Sequence, residues 1–143
     1  MILIDTYVIS EPWKSAPAAE VIAWLDAQAI ETLFISAISV AELRFGIASM
    51  LVGRRQAILH TRLEDEVLPH FVSRILPFTI GTSRFYSELM AGARVSGKAI
   101  GMADGLIAAT AAERGLVVAT RDTSPFKAAG LKVINPWDGH EFG

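Results

Sequence analysis

The sequence contains no cysteine, which excludes disulfide bridges, thiolate nucleophiles and sulfur-ligated zinc sites. It also lacks an excess of one charge: 13 basic residues stand against 15 acidic residues, and the net charge of -2 gives no overall attraction for nucleic acid. No apolar run approaches the roughly 18 residues that cross a bilayer, and the opening residues MILID contain no basic leader. We therefore expect a cytoplasmic protein that is neither exported nor membrane-spanning, in which only a local basic patch can bind nucleic acid.

Apolar residues, by contrast, are abundant. Hydrophobic residues make up 52% of the 143 positions and charged residues 20%, which supports a packed core and differs from the composition of disordered chains. This length matches one domain, so we expect a single domain over residues 1–143 with one active site. An apolar fraction this high in a short chain also predicts that a second copy covers part of the surface, as in a homodimer.

Short apolar runs alternate along the chain with segments that have helical periodicity. The predicted strands are residues 2–4, 32–35, 74–78, 116–119 and 131–134, and the predicted helices are residues 17–28, 39–51, 54–71, 83–96 and 102–114. This alternation indicates an α/β domain with a mainly parallel sheet covered by helices on both faces.

Four acidic residues lie at the ends of these elements among apolar neighbours. Asp5 directly follows the first strand, and Asp122 follows the strand at residues 116–119. Glu42 and Asp104 lie near the starts of two predicted helices. Ligands of open α/β sheets bind beyond the carboxyl ends of the strands, so these carboxylates are candidates for one site at that edge.

Each carboxylate also has a purely structural explanation. Asp5 suits a turn, and Asp122 suits the N-cap of a short helical turn. Glu42 forms a capping-box pattern with Ser39, and Asp104 gains from the macrodipole at a helix start. Taken together, the four favour a site, because helix-start carboxylates on exposed faces rarely have such apolar surroundings.

A cluster of these four carboxylates would have chemical consequences. Mutual repulsion would raise the pKa of some of them unless a cation compensates their charge. An all-oxygen set of ligands suits Mg²⁺ or Mn²⁺, with positions left for water or phosphate. Such an ion can activate water and neutralise a phosphodiester, so the pattern predicts metal-assisted hydrolysis.

Four segments then carry a family resemblance. They are Asp5-Thr6 after the first strand, VAELRFG at residues 40–46, Ala103-Asp104-Gly105 at a helix start, and ATRD at residues 119–122. With them the chain resembles the PIN domains of the VapC toxin group, over nearly its whole length to Asn135-Pro136-Trp137. The resemblance implies a three-layer α/β/α PIN-like fold, a homodimer, a Mg²⁺ or Mn²⁺ site and endoribonuclease activity.

The resemblance also implies residue roles and partners. The catalytic positions it implies are Asp5, Glu42, Asp104 and Asp122. The three aspartates would hold the metal, and Glu42 would bind it or position the attacking water. The residues beside them would be Thr6, Tyr7, Thr120 and Arg121. Toxins of this group in type II toxin–antitoxin systems are neutralised by a small antitoxin. Its N-terminal part, a ribbon-helix-helix or a similar unit, binds operator DNA, and its C-terminal tail covers the toxin's site.

Tyr7 departs from the family pattern, which has Asn at this position. One hydroxyl on a bulky ring cannot reproduce the paired donor and acceptor of an amide. Loss of such an orienting contact typically costs roughly 10- to 100-fold in metal affinity or activity. We therefore predict impaired metal geometry and weakened nuclease activity.

Several other side chains are candidates for roles in binding. The basic residues that could guide an RNA backbone are Arg44, Arg54, Arg55, Arg94, Lys98 and Arg121, and scattered surface charge explains most of them. Arg121 differs because it adjoins Asp122. The histidines, His60, His70 and His140, show no metal-ligand spacing. The tryptophans, Trp13, Trp24 and Trp137, are expected as core or dimer-interface anchors.

Two further functions compete with a ribonuclease toxin. The first is a binding subunit that clamps its antitoxin and reinforces operator binding, which Tyr7 favours. The second is a phosphohydrolase of the haloacid-dehalogenase kind, in which an Asp also follows the first strand. That mechanism needs a second strand ending in Ser or Thr, for which Ser36 could serve, and a Lys at a strand end, which the sequence does not offer.

Overall fold

The computed structural model describes residues 1–138, in which five strands form one parallel sheet. The strands are β1 (Ile2–Ile4), β2 (Leu33–Ser36), β3 (Ile75–Leu76), β4 (Val117–Ala119) and β5 (Val133–Ile134), in the order β3-β2-β1-β4-β5. Every neighbouring pair is parallel, and Leu3 of β1 is in register with Phe34 on one side and Val118 on the other. All five predicted strands are present: β1 has the predicted bounds, β2 is shifted by one residue, and β3, β4 and β5 are shorter than predicted.

Seven α-helices connect the strands within residues 1–138. They are α1 (Thr6–Ser10), α2 (Ala19–Asp26), α3 (Ala37–Ala48), α4 (Arg54–Thr61), α5 (Ile80–Val95), α6 (Met102–Arg114) and α7 (Ser124–Ala128). The helix α1 was not predicted, because five residues are too few to show a helical period. Within this part of the chain no helix combines the length and the apolar character that crossing a bilayer requires.

The two faces of the sheet are covered by separate apolar cores. Ile4 of β1 packs on one face with Val8 of α1 and Leu43 of α3, whereas Leu3 packs on the other face with Ile107 of α6. Successive side chains of a strand point to opposite faces, so one short strand contributes to both cores. The fold is therefore a three-layer α/β/α arrangement, as expected.

The prediction of one continuous helix over residues 54–71 is wrong. After α4 the chain passes through a π-helical turn, Arg62–Val67, and then a 3₁₀ turn, Leu68–Phe71. Pro69 has no N–H to donate within a helix, so the regular ladder cannot run through this point. An apolar stripe with four-residue spacing, Leu59, Leu63, Val67 and Phe71, nevertheless packs against the core, and Leu63 and Phe71 are buried there.

The predicted tryptophan positions agree with the packing. Trp13 is buried, while Trp24 and Trp137 are partly buried against the same core. His140 lies outside the described residues.

Candidate active site

The site lies where the order of the strands reverses. β1 is central, with β2 on one side and β4 on the other, so the connections from these strands leave in opposite directions and open a crevice at their carboxyl ends. Asp5 directly follows β1, and Thr120 directly follows β4. Helices that join parallel strands run back across the sheet, so α3 and α6 begin at this same edge and bring Glu42 and Asp104 to it.

Asp5 is the buried centre of this arrangement, with 6% of its surface exposed. Its Oδ1 accepts the backbone N–H of Thr6 at 2.8 Å, which caps α1, and its Oδ2 accepts the hydroxyl of Thr120 at 2.9 Å. Burial raises the pKa of the Asp5 carboxyl, the two hydrogen bonds oppose that rise, and the nearby charges of Asp104 and Glu42 add to it. The two hydrogen bonds therefore fix the position of the Asp5 carboxyl but only partly offset the cost of burying its charge.

Glu42 is an exposed residue that Thr6 holds in place. The Thr6 hydroxyl donates to Glu42 Oε1 at 2.7 Å, and its oxygen also lies 3.1 Å from the Oγ of the buried Ser39. The predicted capping box of Ser39 and Glu42 is wrong. The helix begins two residues earlier, because Ser36 accepts the N–H of Ile38 at 3.0 Å and is the N-cap.

Asp104 lies in the first turn of α6 and is half-buried. Within residues 1–138 its carboxylate accepts no hydrogen bond. Burial raises its pKa, and the charges of Asp122 and Glu42 raise it further. Asp104 is thus near enough to Asp122 and Glu42 for their charges to act on it.

Asp122 is exposed beyond β4, and its carbonyl oxygen lies 3.4 Å from the Thr120 hydroxyl. The N-cap of α7 is Thr123, which makes no side-chain capping bond, so the capping explanation for Asp122 is wrong. The geometry therefore leaves its carboxylate available beside Asp104.

Three of the acids border one cleft of about 400 Å³: Asp5, Glu42 and Asp104. Tyr7 of α1 and Phe45 of α3 border the same cleft, with 67% and 75% of their surfaces exposed. The cleft thus combines an acidic wall with aromatic and apolar surface.

The donor set determines which metal could be held here. Across residues 1–138, no three His, Asp or Glu side chains are arranged to hold a metal ion as they stand. The oxygen ligands nevertheless fit Mg²⁺ or Mn²⁺ chemically. Burial is the main cause of the raised pKa values of Asp5 and Asp104, and the charges of neighbouring carboxylates, which a cation would compensate, add to it.

Arg121 lies beside Asp122, with its guanidinium carbon 5.3 Å from the centre of the Trp137 ring. A cation over an indole face is favourably placed, which restricts this otherwise exposed side chain. Arg121 also lowers the pKa of Glu11, after the larger effects of the Lys14 contact and the Ala18 N–H. The Arg121 guanidinium is thus held against Trp137 and acts electrostatically on Glu11.

Sequence reasoning missed two buried polar residues: Ser39, which contacts Thr6 beside the site, and Glu11, which does not line the cleft. Ser39 is completely buried against Thr6, and Glu11 is 3% exposed, accepting the Lys14 ammonium at 2.8 Å and the Ala18 N–H at 2.9 Å. The available signal for Glu11 was an acidic residue directly before Pro12 and Trp13 in an apolar stretch.

Comparison with known proteins supports the fold and the family. The PIN domain profile matches residues 2–131. VapC ribonuclease Y4jK of Sinorhizobium fredii is 62% identical over 138 residues, covering 96% of this chain and 99% of that protein. Toxin FitB of Neisseria gonorrhoeae is 50% identical over 137 residues, with the same coverage.

A solved structure shows the same likeness in three dimensions. The crystal structure of FitAcB from Neisseria gonorrhoeae contains a chain that superposes with a TM-score of 0.93 at 50% identity, covering 96% of this chain and 99% of that one. The structure of FitAB bound to the IR36 DNA fragment gives a TM-score of 0.95 at 47% identity, covering 100% and 99%. The chain therefore belongs to the PIN-domain family, with VapC ribonuclease Y4jK and Toxin FitB among the relatives that match nearly all of it.

Proposed function

We propose that this protein is the toxin of a type II toxin–antitoxin pair, a Mg²⁺- or Mn²⁺-dependent endoribonuclease that hydrolyses RNA phosphodiester bonds. The observation that carries the proposal is that Asp5, Glu42 and Asp104 border one cleft at the strand-order reversal of a PIN fold, with Asp122 near enough for its charge to raise the pKa of Asp104. The name of the relative Y4jK, a VapC ribonuclease, supports the same chemistry. We further propose that a single cytoplasmic domain over residues 1–143 carries this activity.

In this proposal some side chains bind the ion and another accepts a proton from the attacking water. Asp5, Asp104 and Asp122 would hold the ion, which when bound neutralises charge on the phosphodiester and activates water. Glu42 accepts the Thr6 hydroxyl through Oε1, which leaves Oε2 to accept a proton from the attacking water. Arg121, stacked on Trp137, supplies positive charge for a phosphate oxygen.

The partners follow from the same family membership. The solved relative FitAB is bound to a DNA fragment, and this chain would likewise pair with an antitoxin whose ribbon-helix-helix or similar N-terminal part binds operator DNA. A homodimer would cover some of the exposed apolar side chains, such as Ile80 and Val95 of α5, which are 91% and 89% exposed.

Metal binding is the direct test. We expect calorimetric titration of Mn²⁺ to show binding by the purified protein that is lost in Asp104→Asn and kept in Asp65→Asn, a matched change at an exposed acid outside the site. Cleavage of RNA should require Mn²⁺ or Mg²⁺ and follow the same pattern among the variants. Tight Mn²⁺ binding by Asp104→Asn, or cleavage that continues in excess chelator, would contradict the proposal.

Tyr7 supports a second candidate, a catalytically weakened subunit that acts mainly by binding its antitoxin and reinforcing operator binding. Within residues 1–138 the Tyr7 hydroxyl makes no hydrogen bond to the carboxylates, and the ring is 67% exposed at the cleft. An Asn here could orient a carboxylate or a water. We expect Tyr7→Asn to raise Mn²⁺ affinity and cleavage if this candidate is correct, and equal values for both proteins would exclude it.

A further inference from the structure

Ser39 carries a completely buried hydroxyl on the same face of α3 as Glu42. The two residues are three positions apart, so their side chains are neighbours on the helix surface. Burial of a hydroxyl without a hydrogen bond is unfavourable. Across residues 1–138 the Ser39 hydroxyl has one hydrogen-bond partner, Thr6, whose Oγ1 lies 3.1 Å from Ser39 Oγ. This contact is therefore what satisfies the buried hydroxyl.

The direction of the Ser39 hydrogen bond follows from the number of protons. Thr6 has a single hydroxyl proton, and its Oγ1 also lies 2.7 Å from Glu42 Oε1. An ionised carboxylate accepts and cannot donate, and short bonds to a charged acceptor are the stronger ones, so the Thr6 proton goes to Glu42. Ser39 is then the donor in the 3.1 Å contact. The chain of hydrogen bonds runs from Ser39 through Thr6 to Glu42.

The Thr6 hydroxyl is the part of this chain that needs an orienting contact. Thr6 is the first residue of α1, and its backbone N–H donates to Oδ1 of the N-cap Asp5 at 2.8 Å. Its β-branched side chain has few rotamers, but its hydroxyl proton can still rotate about the C–O bond. A donor at Ser39 occupies a lone pair of the Thr6 oxygen. It thereby favours the orientation in which the Thr6 proton points to Glu42.

We propose that Ser39 is a positioning residue of the active site, which by donating to Thr6 holds the Thr6 proton on Glu42 Oε1 and leaves Oε2 to accept from the attacking water. The inference rests on the proposed ribonuclease function and adds a residue that does not border the cleft. Without this contact the two oxygens of Glu42 could exchange roles. Ser39 acts on the reaction only through Thr6, and it touches neither RNA nor water.

The test is a double-mutant cycle on RNA cleavage that combines Ser39→Ala with Thr6→Val. Ser39→Ala should lower kcat by roughly 3- to 10-fold, the range that one hydrogen bond supports. KM should stay nearly unchanged, because Ser39 does not contact RNA. In the Thr6→Val background the same change should lower kcat by less than about twofold, because the hydroxyl through which Ser39 acts is gone. All rates are measured well below the lowest melting temperature of the four proteins.

Two further variants separate the hydrogen bond from packing. Ser39→Cys keeps the space filled but supplies only a weak donor, so its kcat should fall nearly as far as that of Ser39→Ala. Thr110→Val removes another buried hydroxyl, which donates to the Leu106 carbonyl in α6, and should leave kcat nearly unchanged.

A measurement without metal examines the Ser39 contact directly. In chelator, Ser39→Ala and Thr6→Val should each lower the midpoint of denaturant unfolding. Because the two side chains share one hydrogen bond, the double variant should lose clearly less than the sum of the two single losses.

The outcomes separate this proposal from the ribonuclease itself. A loss of kcat that disappears in the Thr6→Val background, together with midpoints that are less than additive, would support the role of Ser39. Equal losses of kcat in both backgrounds, a Ser39→Cys protein as active as the parent, or additive midpoints would overturn that role while the ribonuclease stands. A parent protein that binds Mn²⁺ yet cleaves no RNA would overturn the ribonuclease and, with it, any part of Ser39 in the reaction, and coupled midpoints would then mark a structural contact alone.

Discussion

Asp5 and Glu11 are both buried acids near the start of the chain, with 6% and 3% of their surfaces exposed, yet their pKa values move in opposite directions. The pKa of Glu11 is lowered because the Lys14 ammonium and the Ala18 N–H stabilise its charge. The pKa of Asp5 is raised because burial outweighs its two hydrogen bonds and other carboxylates lie nearby. A buried acid that is paired with a cation stabilises the local chain conformation. A buried acid that lies among other acids is typical of a site that binds a cation.

The largest expected effect is the loss of RNA cleavage caused by the substitution Asp5→Asn. We expect Mn²⁺-dependent RNA cleavage to fall by at least about 100-fold, because the substitution removes a proposed ligand to the ion. Thermal stability in chelator should be unchanged or higher, since the substitution removes a destabilised charge while keeping the shape of the side chain. Measured rates and melting temperatures check both statements, and an Asp5→Asn protein that melts well below the parent would show that Asp5 is structural.

Glu11→Gln should have the opposite effects to Asp5→Asn, lowering stability and leaving RNA cleavage nearly unchanged. We expect a loss of about 1 kcal/mol in the free energy of unfolding, because the charge-assisted bonds to Lys14 and Ala18 are weakened. Cleavage should change less than about threefold, since Glu11 reaches the site only through the charge of Arg121. Denaturant unfolding and initial rates measure the two effects, and a large fall in rate with unchanged stability would place Glu11 in the active site.

The pH dependence of stability should separate the two acids further. Because the folded-state pKa of Glu11 is lowered, its stabilising contribution is present above the ordinary value of 4.5 and is lost as the pH falls through the folded value. The folded-state pKa of Asp5 is raised, so its relative contribution is present below the ordinary value of 3.8 and is lost as the pH rises through the folded value. Glu11→Gln should therefore cost most at neutral pH, while Asp5→Asn gains there.

Melting temperatures of both variants and the parent, recorded in chelator between about pH 3 and pH 8, test this contrast. Parallel curves for the two variants would mean that their environments do not differ as the structure shows. Addition of Mn²⁺ at neutral pH should then stabilise the parent but not Asp5→Asn, because only an ion that binds the folded state shifts unfolding.

The sequence predicted the carboxylates better than the contacts that hold them. Asp5 and Asp104 stand out because they interrupt apolar segments at element ends, and the alternation of strands and helices puts those ends at one edge. The Thr6 contact to Glu42 joins residues 36 positions apart, and the Thr120 contact to Asp5 joins residues 115 apart. Local patterns cannot specify such pairs, although the family resemblance named the two threonines.

The errors in the predicted elements have local causes. Helix α3 begins directly after β2 with no loop between them, so its start at Ala37 is hidden by the apolar run that continues into it. Ser39 and Glu42 then look like a capping pair, although Ser36 does the capping. Over residues 54–71 the spacing of the apolar side chains predicts one helix, whereas Pro69 predicts a break in it. The structure has both features: the apolar side chains pack against the core, and the α-helix is followed by a π-helical turn and a 3₁₀ turn.

The smallest expected effect concerns the Thr120 hydroxyl, which lowers the pKa of Asp5 by donating to Oδ2 at 2.9 Å. Thr120→Val keeps the volume and removes this bond, so the pKa of Asp5 should rise further and the acid limb of the cleavage profile should move to higher pH. At neutral pH we expect a reduction of about two- to tenfold, in line with the net contribution of one typical intramolecular hydrogen bond. Thr110→Val is the matched control, because Thr110 is equally buried in α6 but donates to the Leu106 carbonyl. If both variants lower the rate equally without moving the profile, the effect is one of packing, and Asp5 does not depend on Thr120 for its ionisation.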